Sequence, residues 1–180
     1  TKQFLCESYV KRHFADSCGY GTEIETLVLD APKNKKKGRS YFPSAVSEFV
    51  RGSCRNTNKI FVLLVNMQLL TNGKMLARDD YDYGVEGFYR PFNAIASTKP
   101  ILIIDEPHRF SRDQKAFKVI LDEVRPQAII RYGATFPETV IGKGKNKRKE
   151  KDYQNLLYDL NACMAFNQGL IDRKSTRLNS

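Results

Sequence analysis

A chain of 180 residues is about one domain's worth, and 41% apolar residues, with 11 Phe and 9 Tyr, suffice for a packed core and exclude wholesale disorder. The longest apolar runs, residues 60–65 and 100–104, fall far short of the ~20 residues that span a bilayer, so a membrane-spanning function is excluded and no membrane partner is expected. Thirty Lys and Arg against 20 Asp and Glu give a net charge of +10 and an isoelectric point near 9.5, which suits a polyanionic partner and is equally compatible with a solvated basic surface.

In chain order, Phe4, Leu5, Tyr9, Val10 and Phe14 recur at helical spacing and predict a helix over 2–18, stopped by Gly19 and Gly21. Residues 24–29 predict a short strand ended by Asp30-Ala31-Pro32. A basic loop over 33–39 follows, then a short helix over 43–50 with Pro43 in its first turn. Residues 59–65 form a continuous apolar strand, and continuity without alternation predicts burial on both faces, as in a parallel sheet. Asn66 to Leu70 turn toward a short helix, and the acidic, aromatic stretch 79–89 with Gly84 and Gly87 reads as a loop. A short helical piece over 93–98 precedes a second apolar strand at 100–104.

Helical spacing returns over 111–124 through Phe117, Ile120, Leu121 and Val124, and Ala128-Ile129-Ile130 forms a third buried-type strand. Residues 142–152 hold six basic side chains (Lys143, Lys145, Lys147, Arg148, Lys149 and Lys151) and two glycines, and are expected to be a mobile loop. A last, partly helical element covers 153–169. Strands alternating with helices predict an α/β fold with a mostly parallel sheet flanked by helices.

Four scattered cysteines, with no C-x-x-C pair, and two histidines argue against a zinc site or a disulfide scaffold, and fit a reduced, cytoplasmic protein. The first 18 residues lack the charged and apolar regions of a signal peptide. Residues 172–180 share no apolar pattern with what precedes them and read as a non-native tail translated from a sequencing adapter. The expected object is an internal piece of a longer protein, with residues 1–171 as its native part.

The strongest chemical signal is the apolar strand that runs directly into Asp105-Glu106-Pro107-His108. In open α/β sheets ligands bind beyond the carboxyl ends of the strands. An Asp-Glu pair there suits a nucleotide-Mg²⁺ site, one carboxylate holding the metal's water shell and the other orienting or deprotonating an attacking water. An acidic turn with no ligand is the alternative. The next buried strand ends in Gly133-Ala134-Thr135, whose small residues allow close backbone approach and whose threonine offers a hydroxyl.

Together, Asp105-Glu106-Pro107-His108 and Gly133-Ala134-Thr135 resemble motifs II and III of superfamily-two helicases. The continuation Arg109-Phe110, the segment 92–100 and Arg131-Tyr132 resemble more closely the restriction (Res) subunit of type III restriction-modification enzymes. The resemblance implies a partial RecA-like, P-loop NTPase lobe that uses ATP and Mg²⁺. It implies that Asp105 holds Mg²⁺ through water and that Glu106 is the base for the water attacking the γ-phosphate. His108 would link the nucleotide site to motif III, and Gly133, Ala134 and Thr135 would couple hydrolysis to movement. Asn66, Met67 and Gln68 sit where the family contacts a DNA strand, although an ordinary helix cap is an equal reading of Asn66.

The implied whole is an ATP-dependent helicase and type III site-specific deoxyribonuclease of bacterial or archaeal cytoplasm, with double-stranded DNA and a modification (methyltransferase) subunit as partners. No G-x-x-x-x-G-K-[ST] occurs, so the phosphate-cradling loop and its strand are expected upstream, and this stretch alone is expected to be inactive. Another superfamily-two helicase, a non-catalytic nucleic-acid-binding module and a plain α/β structural domain are the alternatives.

Overall fold

The computed structural model describes residues 23–30, 41–55, 58–72, 74–107, 114–142, 144–152 and 155–170. The expected helix over 2–18, the basic loop over 33–39, His108 and the tail 172–180 lie outside the described residues. The chain divides into two units, Thr1–Pro137 and Glu138–Ser180.

In the first unit, β1 (Glu23–Leu29) and β2 (Lys59–Val65) pair in parallel, from Glu23 opposite Lys59 to Leu29 opposite Val65. Parallel strands require a crossover, and here it contains α1 (Ser44–Ser53), which follows Pro43 and buries Val46, Phe49 and Val50. A Cβ added to Gly52 would fall into the Phe61 ring. The missing side chain thus lets α1 approach β2 closely, offsetting the ~1 kcal/mol that glycine costs inside a helix.

Two short helices follow β2: α2 (Met67–Thr71) and α3 (Lys74–Ala77). The expected loop is seen over 79–89, narrowed by a bridge between Val85 and Phe88. It is anchored by the Tyr81 hydroxyl, which donates to the Met75 carbonyl at 2.7 Å. Helix α4 (Pro91–Ser97) begins on proline, whose missing N–H costs nothing at a first helical position. Its Phe92, Ala94 and Ile95 join Val46, Val50, Leu76, Val85 and Val124 in the main core. Burying a side chain such as Phe92 contributes about 1.5–3 kcal/mol.

The helix expected over 111–124 is described from Lys115. It begins as α5 (Lys115–Val119) and widens into a π-helical turn, Ile120–Val124. Ile120 and Val124 are buried while Leu121 is exposed, and Arg125 closes the turn with a left-handed backbone at φ 49°. Ile120 and Val124, four apart, share the buried side, as they would in an α-helix.

Strands β3 (Ile101–Asp105) and β4 (Ala128–Tyr132) form a second parallel pair, in register from Ile101 opposite Ala128 to Asp105 opposite Tyr132. On one face Leu102, Ile104 and Ile129 pack against Phe117 and Ile120. On the other, Ile101 is 57% and Ile103 is 63% exposed. The run of β3 is thus uninterrupted in sequence but alternates in exposure, because α5 covers one side alone. The both-face burial expected of 59–65 is met only in part, since Lys59 and Ile60 are exposed and residues 61–65 are half-buried.

The second unit corrects another expectation. The basic stretch 142–152 contributes to a β-hairpin and is not an irregular loop. β5 (Glu138–Ile141) and β6 (Arg148–Lys151) pair antiparallel, joined through a 3₁₀ turn at Gly144–Asn146. Gly142 at φ 96° and Gly144 at φ 62° adopt the left-handed backbone that the connection requires. The reason for the miss is that cross-strand pairing, not an apolar pattern, defines β6, whose four residues are all exposed. Helix α6 (Ala162–Asn167) follows, capped by the Asn161 side chain, which accepts from the Met164 N–H at 2.9 Å.

Candidate functional site

The register of β3 and β4 carries both candidate turns to the same end of one parallel pair. Asp105 is the last residue of β3 and lies opposite Tyr132, after which the chain enters Gly133-Ala134-Thr135. The Glu106 N–H donates to the Tyr132 carbonyl at 2.9 Å, extending the ladder one residue beyond the strand. Glu106 itself has φ 56°. A left-handed backbone at a non-glycine residue is uncommon and clusters at functional turns.

Pro107 then closes the arrangement. It is buried, and a Cβ placed on Gly133 would collide with its Cδ. The proline ring therefore sits directly on the glycine backbone, and the two turns touch. The Thr135 carbonyl folds back to 3.4 Å from that same hypothetical Cβ. Asp105, Glu106, Ala134 and Thr135 are all exposed at this rim. Beside them the Arg131 guanidinium lies 5.5 Å from the centre of the Phe136 ring, holding the outgoing chain against β4.

The donor chemistry fits a magnesium-nucleotide complex in one respect. Mg²⁺ keeps most of its waters and takes one or two carboxylates plus phosphate oxygens, so a single strand-end carboxylate is the protein's usual share. Among the described residues no group of three or more His, Cys, Asp or Glu side chains forms a metal cage. Asp105 with Glu106 beside it is the donor pair at this rim.

Asn66, Met67 and Gln68 stand at a different place, the end of β2 and the start of α2. The Asn66 side chain accepts from the Gln68 N–H at 2.9 Å and caps the helix. One of the free N–H groups at that helix start is thereby satisfied internally.

One cluster had no signal in the sequence. Arg90, which precedes α4, donates through Nη1 and Nη2 to the two Glu123 oxygens at 2.7 and 2.9 Å, and through Nε to the Ala77 carbonyl at 2.9 Å. Both side chains are largely covered, and the bidentate contact ties α3, α4 and the π-helical turn together. The Arg90 guanidinium holds the Glu123 carboxyl below its usual range. Opposite charges 33 residues apart carry no local spacing rule. The contact of Pro107 with Gly133 was likewise unreadable, although both residues stood in the motifs.

No protein-family profile matches the chain. Three curated proteins do, all Res subunits of type III restriction-modification enzymes. The StyLTI Res subunit of Salmonella typhimurium is 41% identical over 174 residues, covering 94% of this chain. The EcoP15I Res subunit of Escherichia coli is 39% identical and the EcoPI Res subunit of Escherichia phage P1 is 37% identical, each over 95% of this chain. The chain spans 17% of the length of the first of these relatives and 16% of the other two. Over nearly all of its length, the chain thus corresponds to one segment of the type III Res subunits.

Proposed function

We propose that this segment is part of the first RecA-like lobe of an ATP-dependent DNA translocase and helicase, the motor of a type III restriction endonuclease. The observation that carries this reading is the shared rim. Two adjacent parallel strands deliver an Asp-Glu pair and a Gly-Ala-Thr turn to one end, with Pro107 seated on Gly133. A plain structural domain has no need of that juxtaposition.

In this reading, residues 1–171 belong to a single motor lobe whose phosphate-cradling loop lies elsewhere in the longer protein. Asp105 holds the water shell of Mg²⁺, and Glu106 accepts a proton from the water that attacks the γ-phosphate. When bound, Mg²⁺ neutralises charge on the phosphate oxygens. Glu106 shares a turn with Pro107, so a shift of that turn bears directly on Gly133 and on Ala134 and Thr135 beyond it. This gives hydrolysis a steric route to motif III. His108 is assigned the link between them on the family resemblance, as are Asn66, Met67 and Gln68 their contact with a DNA strand. Double-stranded DNA and a modification subunit are the partners of the whole protein, in the cytoplasm of a bacterium or archaeon; no helix among the described residues is long and apolar enough to cross a membrane.

The open face of β3 supports the same reading. Parallel sheets are ordinarily covered on both sides, and the relatives carry far more chain than is present here. The decisive test is Glu106→Gln in the full-length Res protein assembled with its modification subunit. Steady-state ATP hydrolysis in the presence of DNA should fall about 10²–10⁴-fold, and near-wild-type turnover would refute the assignment of Glu106.

A further inference from the structure

From Lys143 to Lys151 every second residue is lysine: Lys143, Lys145, Lys147, Lys149 and Lys151. A period of two is the period of extended backbone, in which alternate side chains share a face and recur at ~7 Å intervals. Within β6 this holds directly. Lys149 and Lys151 lie opposite Val140 and Glu138, on one face of the hairpin, and Arg148 and Glu150 occupy the other.

The hairpin does not use these charges for its own stability. All four residues of β6 are exposed. Lys149 reaches Glu138 at 3.5 Å across the strands with both side chains more than half exposed, and such a pair contributes little. Lys145, Lys147 and Lys151 make no ion pair with any described residue. Six basic residues thus face two acidic ones, Glu138 and Glu150, over 138–151. A two-stranded hairpin is marginal in water by itself, so a partner that neutralises these lysines would also stabilise it.

We propose that the hairpin of β5 and β6 is a nucleic-acid-backbone contact, in which Lys149 and Lys151 on one face of β6, with Lys145 and Lys147 at its turn, hold phosphates of one DNA strand. Within β6 the ~7 Å repeat of Lys149 and Lys151 is comparable to the separation of neighbouring phosphates along a strand, so these two meet consecutive charges, while Lys145 in the 3₁₀ turn and Lys147 after it extend the positive charge. A contact of this kind holds the backbone without reading bases, as a motor that must advance over any sequence requires. The inference rests on the proposed DNA motor and names a second contact for it.

The test is nucleotide-free binding of the full-length Res protein, with its modification subunit, to a fluorescent 30-base-pair duplex lacking a recognition site, over about 50–200 mM salt. Each phosphate contact adds ~0.9 to the slope of log K against log[salt]. Changing Lys145, Lys147, Lys149 and Lys151 together to Gln should flatten the slope by about 3–4, lowering the loss of affinity over that salt range roughly a hundred-fold. The corresponding four Arg substitutions should keep the wild-type slope. A wild-type slope in the Gln variant overturns the proposal. So does an equal flattening in the Arg variant, which would report altered structure, or a lysine-dependent binding to phosphatidylserine vesicles with none to DNA. No nucleotide is present, so the outcome is independent of whether Glu106 is catalytic.

Discussion

The two units of this chain achieve order by opposite means. The first closes on itself: Val46, Val50, Leu76 and Ala94 are fully buried and Phe92 is 1% exposed, in a core fed by α1, α3, α4 and the loop before α4. In the second, Ala165 is the buried apolar side chain among the described residues, while Leu157 is 87% and Leu170 is 62% exposed. The first unit is a scaffold that presents a rim. The second is exposed over most of its described residues, basic at its hairpin and apolar beyond it. In the proposed motor the first would hold a phosphate chain on its turns and the second would follow a polymer.

That contrast breaks most visibly under truncation. Phe92→Ala removes a ring from the closed core and should destabilise the first unit by about 3–5 kcal/mol. Leu157→Ala removes an exposed side chain and should change stability by less than about 0.5 kcal/mol. Hydrogen exchange resolved by peptide reads the two units separately. Comparable losses from the two substitutions would mean that the second unit has a core of its own.

Next in size is the rim. Gly133→Val places a branched side chain where the Pro107 ring already sits, and a proline ring has little freedom to yield. Overpacking of this kind costs about 1–3 kcal/mol. Because the collision separates the two turns, the full-length protein should also lose DNA-stimulated ATP hydrolysis disproportionately to its unstimulated turnover. A uniform loss of both would indicate general unfolding of the rim. Pro107→Ala in the Gly133→Val background should restore part of the stimulation, since it vacates the space in dispute.

Legibility in the sequence follows the same division. Apolar runs located β1, β2, β3 and β4 to within one or two residues, because burial of such runs in strands is a local property of composition. Proline placed the start of α1 nearly as well, whereas α4, expected from residue 93, begins two residues earlier at Pro91. Four features escaped, β5 among them: its four residues, Glu138–Ile141, form too short a run to stand out. Helix α3 has four residues, too few to display a period. The π-helical turn at Ile120–Val124 keeps an apolar spacing that an α-helix would also satisfy. Strand β6 reads Arg-Lys-Glu-Lys and owes its form to register with β5. At the rim, Asp105, Glu106, Gly133 and Thr135 stood out by residue type, but their meeting through Pro107 depends on which strands are neighbours, which no local pattern encodes.

The smallest expected effect concerns the clamp that holds the first unit's helices in place. Glu123 is kept below the ordinary carboxylate range chiefly by the hydrogen bonds from Arg90. A depressed carboxyl contributes stability that is complete above its unfolded value, ~4.3 for glutamate, and that disappears as pH falls through its folded value. Glu123→Gln keeps the shape and removes the charge, so at neutral pH it should cost about 1 kcal/mol, between an exposed ion pair and a charge-assisted hydrogen bond. The difference between the variant and the parent chain should then shrink as pH is lowered below ~4, where the parent's Glu123 is itself protonated. Urea unfolding at stepped pH measures this directly. A gap that stays constant into acid would mean that Arg90 is held by Ala77 and by packing on Phe92, with the carboxylate contributing shape alone.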